Sequence, residues 1–372
     1  MSFRTIASEG PLRLVVVGAG GMGRAWIRAV QADPDTELVG VADLSTAAAE
    51  DAAAAAGLPA QATGPDATAL ARATGADAIV NVTVPEAHHP VTAAALSAGL
   101  PVLGEKPVAA SVAEGLSLAA AAEHTGQLFM VSQSRRYHRA LHQAKRALAP
   151  LGPVGIVSVD FFKAPRFGGF REEMASPLLL DMAIHQFDMA RFLLDADPVS
   201  VSCEEHNPAW SWYKGEAAAT AVFAMEGGSR FVFNGSWCSP GFETSWNGSW
   251  RISAERGTVL WDGEGEPEAE PAGEVDAAPD PGLEIAGSLR EFVAALRTGR
   301  EPMGRVHANV MSLAMVEAAT QSAAQGRRVA LDDVLERSYE AAIATERDAE
   351  SLAVMKSWSS VREALNQRSR SE

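Results

Sequence analysis

The segment Gly18-Ala19-Gly20-Gly21-Met22-Gly23 has the spacing G-x-G-x-x-G. It follows an apolar run and opens a helical one, the setting in which that spacing serves a dinucleotide. Gly18 permits a tight turn, Gly20 lets the backbone approach a pyrophosphate, and Gly23 lets the helix pack closely on the strand. The free N–H groups and partial positive charge of the helix N-terminus then favour phosphate. Gly21 and Met22 complete the expected cofactor-binding loop. Asp43 lies twenty residues past Gly23. A carboxylate there accepts the ribose hydroxyls and repels a 2′-phosphate. No Arg occurs in Leu44-Ser45-Thr46, so the expected cofactor is NAD, with NADP the less favoured choice.

Two further groups carry proton chemistry. Glu105-Lys106-Pro107 follows the strand-like Leu100 to Leu103. Lysine at the carboxyl end of a parallel sheet stands where ligands bind; a surface lysine before a proline fits the same pattern. Asp181 and His185 are four apart in the mostly apolar stretch Pro177 to Asp188, which places both on one helix face. An imidazole held by a carboxylate suits proton removal from an alcohol. A helix-terminal Asp with a core histidine satisfies the same spacing. His88-His89 is too little for a metal site, and no metal is expected.

These residues need elements to hold them. Strand patterns at 12–17, 37–43, 78–84, 100–103 and 128–132 alternate with helical ones at about 22–32, 46–56, 90–98 and 112–125. That alternation implies parallel βαβ units. The pattern then changes to strands at 155–162, 198–204, 217–225, 230–237, 249–254 and 258–261, with a helix at about 180–194. Gly227-Gly228 marks a hairpin turn. Helices return at about 287–297 and 306–325. The fold class is therefore α/β: an N-terminal Rossmann domain with a doubly wound parallel sheet, then an α+β domain with an open, mainly antiparallel sheet. The expected domains are 1–150 for the cofactor, 151–330 for substrate and oligomerisation, and 331–372 as a helical extension lying on the outside. One sheet face is expected to carry Trp210, Trp212, Trp237, Trp246 and Trp250, as an oligomer contact or as the domain's own core.

Composition narrows the class. The 372 residues are 47% apolar and 21% charged, which excludes a wholly disordered chain. No run approaches the ~18 apolar residues of a membrane helix, and residues 1–11 lack an apolar signal core. Cys203 and Cys238 are too few for a disulfide framework and fit a reducing compartment, so a cytoplasmic location is expected. The net charge is −16, and nine acids with no Lys or Arg fall between Asp262 and Glu284. An acidic balance argues against nucleic-acid binding, and the acidic run reads as a solvated loop.

Taken together, the motifs resemble the glucose–fructose oxidoreductase / inositol dehydrogenase / MocA family over residues 12 to 330. Its marks are the glycine loop, Asp43, Val84-Pro85 with His89, Glu105-Lys106-Pro107, Arg136-Tyr137, the Asp181/His185 helix and Gly326-Arg327-Arg328-Val329. The resemblance implies that Lys106 meets the nicotinamide and the reacting carbon's oxygen. It implies that His185 takes the hydroxyl proton and that Asp181 orients substrate and histidine. Thr83, Val84, Pro85, His89 and Glu105 would join the cofactor site. Tyr137, Arg166, Trp212 and Lys214 are candidates for the substrate pocket. Two places depart from the pattern. Met174 to Leu178 replaces a glycine run, and Glu86 replaces an Asn. The implied activity is hydride transfer between NAD and a ring carbon of a sugar, cyclitol or related polyol, by a homodimer or homotetramer. The alternative is sugar 3-oxidation serving glycoside cleavage with no net redox change. A non-enzymatic cofactor sensor would be expected to lack Lys106 or His185.

Overall fold

The computed structural model describes residues 3–7, 10–271 and 280–366. In chain order the first elements are β1 (Leu12–Val17), α1 (Gly21–Ala32), β2 (Thr36–Ala42), α2 (Thr46–Ala55), β3 (Thr63–Gly64), α3 (Ala67–Thr74), β4 (Ala78–Asn81), α4 (Pro85–Ser97), β5 (Val102–Glu105), α5 (Val112–Thr125) and β6 (Phe129–Ser132). All the strands pair in parallel, in the order β3-β2-β1-β4-β5-β6. Buried runs such as Leu14, Val15, Val16 and Val17 explain this, because helices cover both faces of such a sheet. The helix expected from residue 90 begins at Pro85. Proline suits that first position, since its missing N–H would have no partner there. The strand expected to reach Val84 ends at Asn81.

The chain continues through α6 (Arg139–Leu148), β7 (Val154–Phe162), α7 (Phe170–Glu173), a π-helical stretch Leu178–Ala183 and α8 (Ile184–Leu194). Then come β8 (Pro198–His206), β9 (Ala218–Met225), β10 (Arg230–Ser236), β11 (Ser249–Ala254), β12 (Gly257–Trp261) and β13 (Glu268–Glu270). The last elements are α9 (Glu284–Thr298), α10 (Val306–Gln325), β14 (Val329–Ala330), α11 (Leu331–Thr345), α12 (Ala349–Ser357) and α13 (Val361–Leu365). The second sheet runs β13-β12-β11-β7-β10-β9-β8-β14. Only its β7–β10 pair is parallel. The described residues fall into two compact units. One holds those up to Ser134, Gly282–Val310 and those from Glu336; the other holds Arg135–Pro281 and Met311–Leu335. No helix among the described residues is long and apolar enough to cross a membrane.

Two expectations are corrected and a third is narrowed. The tryptophans do not form one exposed face, although Trp210 is 67% exposed. Trp250 opposes Val159, which opposes Phe233, so the strand alternation turns Trp250 inward. Trp237 and Trp250 are only 1% and 2% exposed, and Trp210, Trp212 and Trp246 lie between strands. The acidic run is not all loop, because Glu268–Glu270 pairs with β12 as an edge strand. Charges are common on such edges. Glu274 and Asp276 lie outside the described residues. The tail is not external either. Met355, Val361, Ala364 and Leu365 are buried, and α12 packs on α5.

Met355→Ala tests that last packing. If the tail is structural, the substitution should cost about 2–5 kcal/mol in denaturant unfolding. An external tail would give a change within about 0.5 kcal/mol.

Candidate active site

Between β1 and β4 the first sheet reverses its winding. In such sheets ligands bind outside the carboxyl ends of the strands at that point. Ser45, Asp66 and Ser111 cap α2, α3 and α5 through their side chains. The two helices that open at the reversal differ. Neither α1, whose N-cap is Gly20, nor α4, whose N-cap is Val84, has a side-chain cap. α1 also has no acid in its first turn. Its first N–H groups are thus available to an anion.

The glycines divide by what a side chain would meet. Gly18 has φ +103°, and a Cβ there would lie 2.5 Å from the Val82 carbonyl oxygen. At Gly23 it would lie 1.8 Å from the Gly18 carbonyl oxygen. Those two positions are glycine for internal reasons. At Gly20 and Gly21 a Cβ would meet nothing within 4 Å, so the space beside them is left open. Met22 is 50% exposed beside that opening. An uncapped helix start with an open backbone edge fits the pyrophosphate of NAD.

Asp43 has local work as well. Its Oδ2 accepts from the Ala19 N–H at 2.7 Å and its Oδ1 from the Ser45 N–H at 2.8 Å. The carboxylate ties the glycine loop to the end of β2, and its oxygens retain further lone pairs. Leu44, at 90% exposed, offers no cation to a 2′-phosphate.

At the end of β5, Glu105 accepts from Trp26 Nε1 at 2.8 Å and from the Lys106 N–H at 3.1 Å. It anchors the turn rather than facing open space. The Lys106–Pro107 bond is cis. Thr83 donates from its N–H and its hydroxyl to Asn81 Oδ1, at 3.2 and 2.7 Å. Val84 and Pro85 form the start of α4. His89 does not turn toward this edge. Its Nε2 lies 2.9 Å from Ser117 Oγ on α5, and that hydroxyl donates to Glu346 at 2.5 Å. The neighbouring His88 reaches both Thr83 and Pro107. The sequence shows only a doublet, so the choice between the two depended on the helix phase set by Pro85.

The second unit holds Asp181 in the π-helical stretch and His185 in the first turn of α8. π segments recur at functional sites. His185 is nearly buried. Two residues on, Phe187 packs edge-on against Phe223, Phe231 and Phe233 at 4.9, 5.9 and 5.4 Å. One residue further, Asp188 receives Arg136 at 2.6 and 2.8 Å and the Ser312 hydroxyl at 2.7 Å. Arg191 donates to Asp197 and Ser312. The helix bearing His185 is therefore clamped by a buried polar network. Sequence reasoning missed Arg171, whose Nε donates to Asp181 Oδ2 at 2.6 Å. Its guanidinium also lies over the Phe167 and Phe170 rings. Nothing in the spacing marks it.

Among the substrate candidates, Arg166 stacks on Trp212 at 3.9 Å, so the structure brings these two together. Tyr137 is buried, and Lys214 pairs at the surface with Glu173. Among the described residues no group of three or more His, Cys, Asp or Glu is placed to hold a metal ion. Burial pushes the Cys203 thiol up to about 12, which makes it an inert thiol rather than a nucleophile.

Residues 12–133 match the family model described as oxidoreductase family, NAD-binding Rossmann fold, and residues 150–260 match the GFO/IDH/MocA C-terminal domain. Inositol 2-dehydrogenase of Rhizobium meliloti is 31% identical over 203 residues, covering 51% of this chain and 57% of that protein. D-apiose dehydrogenase of Paraburkholderia graminis is 27% identical over 297 residues, covering 72% and 76%. The fold is shared with an oxidoreductase from Agrobacterium radiobacter solved with NAD+, L-tartaric acid and magnesium. That match has a TM-score of 0.76 at 21% identity, covering 87% of this chain and 99% of the other.

The two kinds of glycine give opposite expectations. Gly20→Val should weaken NAD+ binding in calorimetry by about 100-fold or more, with the melting temperature nearly unchanged. Gly23→Ala should lower the melting temperature itself. A Gly20→Val protein that binds NAD+ normally would show that the loop does not hold the pyrophosphate.

Proposed function

Because the chain belongs to the glucose–fructose oxidoreductase / inositol dehydrogenase / MocA family of oxidoreductases, with an NAD-binding Rossmann fold, we propose that it is an NAD-dependent dehydrogenase of a sugar, cyclitol or related polyol. The observation that carries the reading is the uncapped start of α1 beside the open edge at Gly20 and Gly21. The names of the relatives, inositol 2-dehydrogenase and D-apiose dehydrogenase, support a polyol as substrate.

When bound, NAD+ supplies the hydride acceptor. Lys106 then holds the oxygen of the reacting carbon and, as a cation, favours negative charge developing there. His185 takes the hydroxyl proton, which requires a neutral imidazole in the oxidative direction. Asp181 orients the histidine and the substrate, and Arg171 fixes that carboxylate. The clamped helix α8 limits how far His185 can drift, and misplacement of about 1 Å can cost ~10²-fold in rate. The reading includes a homodimer or homotetramer that covers the outer face of the second sheet, where Ile156, Val222 and Leu260 are exposed on one side.

A panel of sugars, cyclitols and glycosides with NAD+ or NADP+, followed by nicotinamide absorbance, should give turnover with NAD+ and at least one polyol. Lys106→Met should abolish that turnover while NAD+ binding stays measurable; wild-type turnover would sink the reading. Oxidative kcat/KM should rise with pH through one ionisation, because His185 works as the free base. The reductive rate should fall over the same kind of step. His185→Ala should lower the rate by ~10²–10⁴ and remove that ionisation. A variant that keeps both would make His185 a packing residue.

A further inference from the structure

His88 is 2% exposed, and both of its ring nitrogens lie on main-chain carbonyls. Nδ1 is 2.6 Å from the oxygen of Pro107 and Nε2 is 3.0 Å from the oxygen of Thr83. Carbonyls only accept, so a protonated ring donates to both and a neutral ring to one. Burial pulls the ring's pKa below its ordinary value. The two carbonyls and the charge of Glu105 work the other way, and Lys106 adds to the lowering.

The ring joins two loops that follow adjacent strands. Thr83 lies just past β4, and Pro107 lies in the turn after β5. Thr83 is pinned from its other side by Asn81. The Asn81 amide also donates to the His88 carbonyl at 3.2 Å and to Thr92 Oγ1 at 3.0 Å. Asn81 is fully buried. The result is a buried network through which His88 reaches the lysine turn. Pro107 directly follows Lys106, so its carbonyl cannot shift without moving the backbone on which Lys106 stands.

We propose that His88 is a positioning residue for Lys106, holding the lysine turn in fixed register with the Thr83 loop. The proposal rests on the reading of Lys106 as the residue that meets substrate oxygen and nicotinamide. Both ring nitrogens are taken up by main-chain carbonyls. The ring's effect passes through Pro107 to the amine and through Thr83 to the cofactor side of the same edge. A displacement of about 1 Å there is enough for a ~10²-fold loss.

The test needs one readout that does not depend on substrate. In ligand-free protein carrying 13C-lysine, the Lys106 side-chain signal is assigned by its loss in Lys106→Met. In His88→Phe, and to a smaller extent in His88→Gln, which keeps one donor, that signal should shift. With the polyol found in the panel, kcat should fall about 10–100-fold, with little change in KM. Should His88→Phe fail to fold, His88→Gln decides the matter alone. An unmoved Lys106 signal, or wild-type kcat, in a folded His88 variant overturns the proposal. Wild-type turnover in Lys106→Met would instead overturn the catalytic role of Lys106, and the spectra would still report whether His88 positions it.

Discussion

Helix α1 can lie where it does only because positions 18 and 23 have no side chains. The Gly18 carbonyl occupies the space that any Cβ at 23 would take, and Val82 closes on Gly18 from just past the end of β4. This contact brings the start of α1 against the end of β1 and aims its free N–H groups over the carboxyl edge of the sheet. Other features follow from that placement. Trp26, one turn further along α1, reaches Glu105, and the same carboxylate takes the Lys106 N–H. Helix α1 therefore also sets the turn that carries the lysine. Asp43 closes the loop from the other side through Ala19.

In the second unit an aromatic anchor and an ionic one act on the same helix. Phe187 enters the ring cluster of β9 and β10, while Asp188 and Arg191 engage Arg136, Ser312 and Asp197. Buried ion pairs often contribute little net stability, because desolvation offsets their attraction. Their effect here is geometric: α8 has one way to sit, and His185 in its first turn inherits that restriction. Asp181 lies in the wider π turn and takes its own partner, Arg171. The segment that departs from the family pattern, Met174 to Leu178, directly precedes this turn.

The parts of the fold that were legible in the sequence are those where one local signal dominates. Buried runs such as Leu14 to Val17 and Ala78 to Asn81 mark an element by themselves, whereas the helices α3 and α6 were not among those expected. The family and the glycine loop were legible for the same reason. Elements that exist only through partners were not. β3, β13 and β14 have two or three residues each and form because a neighbouring strand offers its edge. The tail looked polar enough for solvent, yet Met355 and Leu365 give it a buried side. In the site, His88 and His89 are distinguished only by helix phase. Arg171 reaches Asp181 from the short helix α7, entered through left-handed Gly168 and Gly169, a path that no spacing rule encodes.

The central claim is that hydride leaves a carbinol carbon of a polyol for the nicotinamide, with Lys106 holding the oxygen. Deuterium tracing tests it most directly. A polyol deuterated at the reacting carbon is incubated with NAD+ and stoichiometric protein, and the nicotinamide is examined by NMR. The account predicts one deuterium on the nicotinamide ring for each substrate oxidised by the wild-type chain, and none with Lys106→Met. Oxidised product without deuterium on the nicotinamide, or equal transfer by Lys106→Met, would contradict it.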